Sequence, residues 1–416
     1  MIDTASLVSD CIDYTAALTR RFRSRLTGSR QCAECAAVLH ERMQSFCDGA
    51  RIQRFTLHPG SFYSYTKIIP PFYALGLFML FFPGPWMIVP ALGILAGTAM
   101  MACIFGFYLH VFDRFFPSKT GLNVIGTIEP SNEPRQQIIL SGHHDSAPVT
   151  RLMGPKLLPY LAITITVPYL YFIFEAGLLL YLSLTASAAA PLWSIIAAAS
   201  GLPITGLYFM GVDTSRGTPG AGDNMIASAM VVLLGERIAR TRRKTPSSLR
   251  HTRIIIASFD GEEAGLRGAA AYFGAQADGL RRIPAYHLNI DSIYNLAELQ
   301  VLESDINGSQ KLSREMADDI VRIASGLGIR VRPFRMVFGG GGTDAAESAR
   351  AGLRSTTIIG LPTTVVRRNM VYHTAADTAD HIEPEAVEAC LKIIAGYIEE
   401  KEAAVRQVQA SNAGRP

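Results

Sequence analysis

Residues 252–268 read Thr-Arg-Ile-Ile-Ile-Ala-Ser-Phe-Asp-Gly-Glu-Glu-Ala-Gly-Leu-Arg-Gly. Thr252–Phe259 is a short, isoleucine-rich run, the pattern of a strand buried in the middle of a sheet. An acidic, glycine-containing turn follows it, and a helix is expected from Gly261. Before this stretch, Asn123–Ile128 and Gln137–Leu140 read as adjacent strands. Asp223–Arg243 reads as a helix whose basic end suits the helix dipole. After it, His287–Ile290 reads as a strand, Lys311–Leu327 as a helix and Ile329–Phe338 as extended chain. Thr343–Ala351 reads as a helix, Ser355–Leu361 as a strand and Glu383–Val408 as a long closing helix. Residues 1–50 read as two helices with basic outer faces. This alternation predicts a three-layer α/β/α sandwich with a mostly parallel central sheet.

The composition adds a second theme. Of 416 residues, 49% are hydrophobic and 18% charged, against about 25% charged in ordinary globular domains. A net charge of +4 is too small to imply a polyanionic partner, so no nucleic-acid partner is expected. The apolar excess is concentrated. Ile68–Leu109 contains no Asp, Glu, Lys or Arg, and Leu157–Val212 contains only Glu175. A spanning helix needs about 20 apolar residues, so each stretch has room for two. Pro83-Gly84-Pro85 and Ser183–Pro191 mark the reversals. The expected organisation is an N-terminal helical part (1–67), a transmembrane hairpin (68–112), the first part of a soluble core (113–156), a second hairpin (157–212), the rest of the core (213–410) and a disordered tail (411–416).

The hairpin tips carry no charge, whereas Arg51, Arg54, Lys67, Arg114, Lys119, Arg151, Lys156 and Arg216 lie on the flanks. The excess of Lys and Arg places the soluble part on the cytoplasmic side of an inner or plasma membrane. Met1–Ser29 has no apolar core, and no signal peptide is expected. The six cysteines would stay reduced there. Cys32-x-x-Cys35 has no second such pair and no preceding strand, and reads as two thiols on neighbouring helical turns.

Five groups at or near predicted strand ends and helix starts carry chemistry. They are His143-His144-Asp145, Asp223-Asn224, Glu262-Glu263, Asp291-Ser292, and Tyr372-His373-Thr374 followed by Asp377. Open α/β sheets place their ligand sites at such ends. Two histidines and three carboxylates suffice to hold two zinc ions with one carboxylate bridging. A further carboxylate is then needed to take a proton from water. The adjacent side chains of Glu262 and Glu263 diverge, so one can ligate while the other faces the water. Asp145 lies on the same side of an extended segment as His143 and can orient its ring.

The ordered set His143-x-Asp145, Asp223-Asn224, Glu262-Glu263 with Gly265-Leu266-x-Gly268, Asp291, and Tyr372-His373-Thr374 resembles metallopeptidase family twenty-eight, the co-catalytic zinc aminopeptidases. The likeness spans roughly residues 120–150 and 215–400. It implies the zinc exopeptidase fold and two zinc ions per chain. By the resemblance, Asp223 bridges, Glu263 and His373 complete one metal site, His143 and Asp291 complete the other, Glu262 is the catalytic acid–base and Asp145 its helper. Two departures concern the substrate side. Asp223-Asn-Met-Ile-Ala-Ser-Ala229 lacks the Ser-Gly usual after the bridging Asp, and Gly339–Ala345 looks more like the related family forty-two. Asp344 and Tyr372 are candidates for the substrate pocket or for supporting the ligands, with helix capping the other role open to Asp344. His144 matches no ligand position and reads as structural. The partners expected are a peptide substrate and the lipid bilayer; self-association into a homo-oligomer is left open. A glutaminyl cyclase on the same fold, with one zinc, is the neighbouring function. A receptor-like scaffold would require lost ligands, and a transporter would require more ionisable groups in the spans than Glu175.

Overall fold

In a computed structural model, residues 5–150, 161–185, 189–361 and 371–413 are described. Their strands, in chain order, are β1 (Gly49–Leu57), β2 (Lys119–Ile128), β3 (Gln136–His143), β4 (Pro148–Thr150), β5 (Val212–Gly217), β6 (Thr252–Phe259), β7 (Ala285–Ile293), β8 (Gln300–Asp305), β9 (Gln310–Lys311), β10 (Arg332–Arg335) and β11 (Arg354–Gly360). Nine of them form one mixed sheet in the order β1-β2-β6-β3-β7-β11-β8-β10, with β9 beside β8. β6, β3, β7 and β11 run parallel in the middle; β1, β2 and the pairing of β11 with β8 are antiparallel.

Side chains alternate across a strand, and β6 shows the result. Ile254 and Ile256 enter a core shared with the helices Ala5–Arg21, Ile226–Lys244 and Pro384–Ala413. Ile255 and Ala257 face the opposite way, onto Tyr272 and Phe273 of the helix Arg267–Leu280. Both faces of the sheet are covered, which makes an α/β/α arrangement.

Four expectations are corrected. β2 and β3 are not adjacent, because β6 lies between them and pairs antiparallel with one and parallel with the other. The N-terminal part is not wholly helical: β1 extends the sheet by pairing with β2 from Gly49↔Thr127 to Leu57↔Lys119. The helix expected from Gly261 starts at Arg267, because Gly261, Gly265 and Leu266 have positive φ and form a turn instead. The closing helix reaches Ala413, into the stretch expected to be a tail; residues 414–416 lie outside the described residues.

The apolar stretches form helices with a core of their own, in which Tyr65, Ile69, Ile94, Phe172 and Leu179 are buried together. Phe78, Phe81, Phe82, Trp86, Leu184 and Trp193 face outward. Among the described residues, three segments are long and apolar enough to cross a membrane: Pro85–Gly106, Thr166–Thr185 and Leu192–Gly211. Four were expected. The helix Tyr65–Met79 has 15 residues, about 22 Å at 1.5 Å per residue, short of a hydrocarbon layer of about 30 Å. The start of the second expected hairpin, 157–160, lies outside the described residues. Its flanks meet in a two-stranded ribbon, β4 against β5.

Candidate metal centre

The carboxyl ends of the parallel strands assemble the site. β3 ends at His143, the turn after β6 supplies Glu262 and Glu263, and β7 carries Asp291. Asp223 lies in the turn opening the helix Ile226–Lys244, and His373 comes from the segment after residue 370 with φ 56°. All five expected ligands and Glu262 meet in one buried pocket. His143 Nε2 stands 3.3 Å from Asp223 Oδ1, 3.7 Å from Glu262 Oε2 and 4.0 Å from Asp291 Oδ1. His373 Nε2 lies 2.9 Å from Asp223 Oδ2 and 3.3 Å from Glu263 Oε2. His143, Asp223 and Glu263 form one group able to hold a metal ion, and His143, Glu262 and Asp291 another.

The supports are specific. Asp145 Oδ1 is 3.3 Å from His143 Nδ1, and the same carboxylate accepts the backbone N–H groups of Glu262 and Glu263. It therefore positions the ring and the acidic turn together. Asp377 accepts the backbone N–H groups of Gly222 and Asp223. Ser292 Oγ donates to Asp291 Oδ1 at 2.9 Å. Gly268 has to be glycine, since a Cβ there would stand 2.1 Å from the Asp260 carbonyl oxygen. Tyr372 stacks on the His373 ring, centroids 3.9 Å apart. Asp344 precedes the helix Ala345–Arg350 but makes no cap bond, so its capping role is not realised. Its buried carboxylate oxygens make no hydrogen bond among the described residues.

Sequence reasoning missed Arg25. Fully buried, it donates from Nε to the His144 carbonyl (2.7 Å), from Nη1 to those of Pro219 (2.7 Å) and Phe22 (3.0 Å), and from Nη2 to that of Gly220 (2.9 Å). It thus ties the loop beyond His143 to the loop before Asp223. The particular residues at the foot of the first hairpin that touch the turn after β6 were also missed. His110 Nε2 lies 3.2 Å from the Gly265 carbonyl oxygen, Asp113 pairs with Arg267 at 2.8 Å, and Phe62 and Tyr108 pack with Leu266.

The electrostatics call for cations. Burial pushes Glu263 and Asp291 up to about 7, with neighbouring carboxylates reinforcing the push. Glu262 and Asp344 are raised further by burial and by their like-charged neighbours. Burial opposes charge on His373, yet Glu263 and Asp223 raise it to about 10. Asp223 runs the other way: burial raises it, but the imidazoles of His143 and His373 beside it hold it below the usual carboxylate range. Six buried carboxylates against two imidazoles leave an excess of negative charge, and Glu263 Oε1 and His143 Nε2 make no hydrogen bond among the described residues. Oxygen and imidazole donors with such an excess fit divalent zinc.

Residues 207–398 match the profile of Peptidase family M28; His143 and Asp145 lie outside that segment. No curated protein matches the chain. Solved structures share the fold. A zinc aminopeptidase from Bacillus subtilis aligns over 95% of this chain and 94% of its own at 13% identity, TM-score 0.56. A glutaminyl cyclase from Fimbriiglobus ruber covers 94% of each chain at 11% identity, TM-score 0.54. An aminopeptidase from Aneurinibacillus sp. strain AM-1 covers 94% and 92% at 12% identity, TM-score 0.53.

Proposed function

We propose that this chain, which belongs to peptidase family M28, is a membrane-anchored, zinc-dependent aminopeptidase that hydrolyses N-terminal peptide bonds. The observation that carries this reading is the placement of Asp223. Its two carboxylate oxygens face two different imidazoles, each with a further carboxylate alongside. A carboxylate so placed is suited to bridge two cations. In this reading Asp223 would be shared by two zinc ions, with Glu263 and His373 completing one ligand set and His143 and Asp291 the other. Bound zinc supplies Lewis acidity, polarising the scissile carbonyl and making a water more acidic. Glu262 takes the proton from the attacking water and returns it to the leaving amine. Asp145 holds His143 and the acidic turn in register, while Asp344 and Tyr372 line the substrate's approach. The basic flanks of the hairpins support a cytoplasmic orientation.

Glu262→Gln tests the assignment, since it keeps the side chain's size but removes its basicity. Turnover of aminoacyl reporter substrates should fall by about 10²–10⁴ with metal content nearly unchanged. Normal turnover would rule out Glu262 as the base. A glutaminyl cyclase is the second reading, because solved cyclases carry the same fold. One zinc at the Asp223 cluster, with no aminopeptidase turnover, would favour it.

A further inference from the structure

Three side chains unused by the hydrolytic reading meet behind the site. Cys32 lies in the N-terminal helix Arg30–Gln44, His144 follows the end of β3, and Asp260 follows the end of β6. All three are buried, and one donor atom from each lies within 4.8 Å of the other two. Cys32 Sγ stands 3.4 Å from Asp260 Oδ1. A sulfur–oxygen edge of a tetrahedral zinc site, with bonds of about 2.3 and 2.0 Å, is about 3.5 Å. The two edges to His144 are within 4.8 Å.

His144 supplies the second observation. Its Nδ1 is engaged by Ser258 Oγ at 3.0 Å, while the buried Nε2 makes no hydrogen bond among the described residues. A buried ring held through one nitrogen and unpartnered at the other, in a group with a thiol and a carboxylate, has the makings of a metal-binding histidine. Asp260 is oriented by Thr27 Oγ1 at 2.6 Å and by the Leu122 backbone N–H at 2.9 Å. Cys35, one turn further along, packs instead into the apolar core with Leu39 and Met43. The C-x-x-C spacing therefore does not define the group; Cys32 alone joins it.

We propose that Cys32, His144 and Asp260 bind a zinc-class divalent ion, separate from the hydrolytic cluster, that staples the N-terminal segment to the ends of β3 and β6. On binding, Cys32 releases its thiol proton to solvent, and thiolate, neutral imidazole and carboxylate form the ligand set. The staple lies one residue from His143 and two from Glu262, so it fixes the strand ends that present the site.

Cobalt(II) is the probe. The ligands of the hydrolytic cluster are all nitrogen and oxygen, so a thiolate-to-cobalt charge-transfer band in the near ultraviolet reports the Cys32 group and not that cluster. The full-length protein loaded with Co²⁺ should show the band. Cys35→Ser and Asp223→Ala should retain it, whereas Cys32→Ser should lose it along with one ion per chain by elemental analysis. Absence of the band in the unmodified protein overturns the proposal whether or not the variants fold, as does its persistence in Cys32→Ser. A band that persists while Asp223→Ala leaves the ion count unchanged would instead count against the hydrolytic reading.

Discussion

Removing the Arg25 guanidinium would leave the carbonyls of His144 and Pro219 without their donor, and that of Gly220 with the Met225 N–H alone. A bare buried carbonyl costs about 1–3 kcal/mol, so Arg25→Met should lose on the order of 3 kcal/mol or more in denaturant unfolding. It should also hold metal more weakly, because the loops of His143 and Asp223 hang on these bonds. Arg25→Lys keeps the charge but not the planar fork and should fall between. Equal stability of Arg25→Met and the unmodified protein would show the clamp to be idle. The ligands themselves give a sharper contrast. Asp223→Ala should lose both ions of the hydrolytic cluster, since Asp223 faces both imidazoles, whereas His143→Ala should lose mainly one; metal analysis separates the two patterns. The cluster was legible in the sequence because its residue types are unusual together and stand at strand ends. Arg25 was not, since Arg20, Arg21, Arg23 and Arg25 read as a solvated basic face. Its partners on the site loops lie 119 to 195 positions away.

At the scale of elements, β6 was legible to the residue because burial on both faces demands a continuous apolar run. β1 escaped because it is an edge strand with few buried side chains, its polar positions looking like a linker. β8, Gln300–Asp305, escaped because it is short and mostly polar. Strand order escaped as well: hydrophobic pattern says which segments are strands, but long-range pairing inserted β6 between β2 and β3. The closing helix shows another long-range link. Its Glu402 accepts the backbone N–H groups of Arg250, His251 and Thr252 at the start of β6. Burial raises Glu402, but these bonds and Arg406 outweigh it and hold the carboxyl below its ordinary value. A depressed carboxyl contributes stability that is present above its unfolded pKa and lost as pH falls through its folded one. Glu402→Gln should therefore cost about 2–3 kcal/mol at neutral pH and flatten the acid limb of the stability curve. An acid limb unchanged in the variant would assign it to other carboxylates.

For the whole molecule, the question is why a hydrolase site and an apolar helical bundle share one chain. A cavity of about 290 Å³ connects them: Tyr63 and Lys67 from the foot of the first hairpin, Thr214 from β5 beyond the second, and Glu263 of the metal cluster all line it. Because both apolar stretches interrupt the core next to site elements, the sequence itself suggests that the hairpins wall the approach to the site; it does not show which residues at their feet do so, because those contacts join residues far apart along the chain. Were the bundle seated in a bilayer, a cavity lined by the feet of the hairpins would open near the bilayer surface, where an anchored peptide would reach Glu263. Replacing residues 157–212 by a short soluble linker tests the arrangement. The variant should still bind metal at the Asp223 cluster, whose ligands all lie outside the replaced segment. It should cleave small soluble reporters within a few-fold of the intact rate, and lose most of its activity on peptides anchored to vesicles. Equal loss on both substrate classes would mean that the hairpin supports the fold and not access, and no loss on either would make it an anchor alone. Sidedness needs an exposed reporter, since Cys390 is buried. The Asp278 side chain is 95% exposed, so Asp278→Cys in sealed cells should resist an impermeant thiol reagent until the membrane is opened. Labelling from outside would place the site on the external face and overturn the reading taken from the basic flanks.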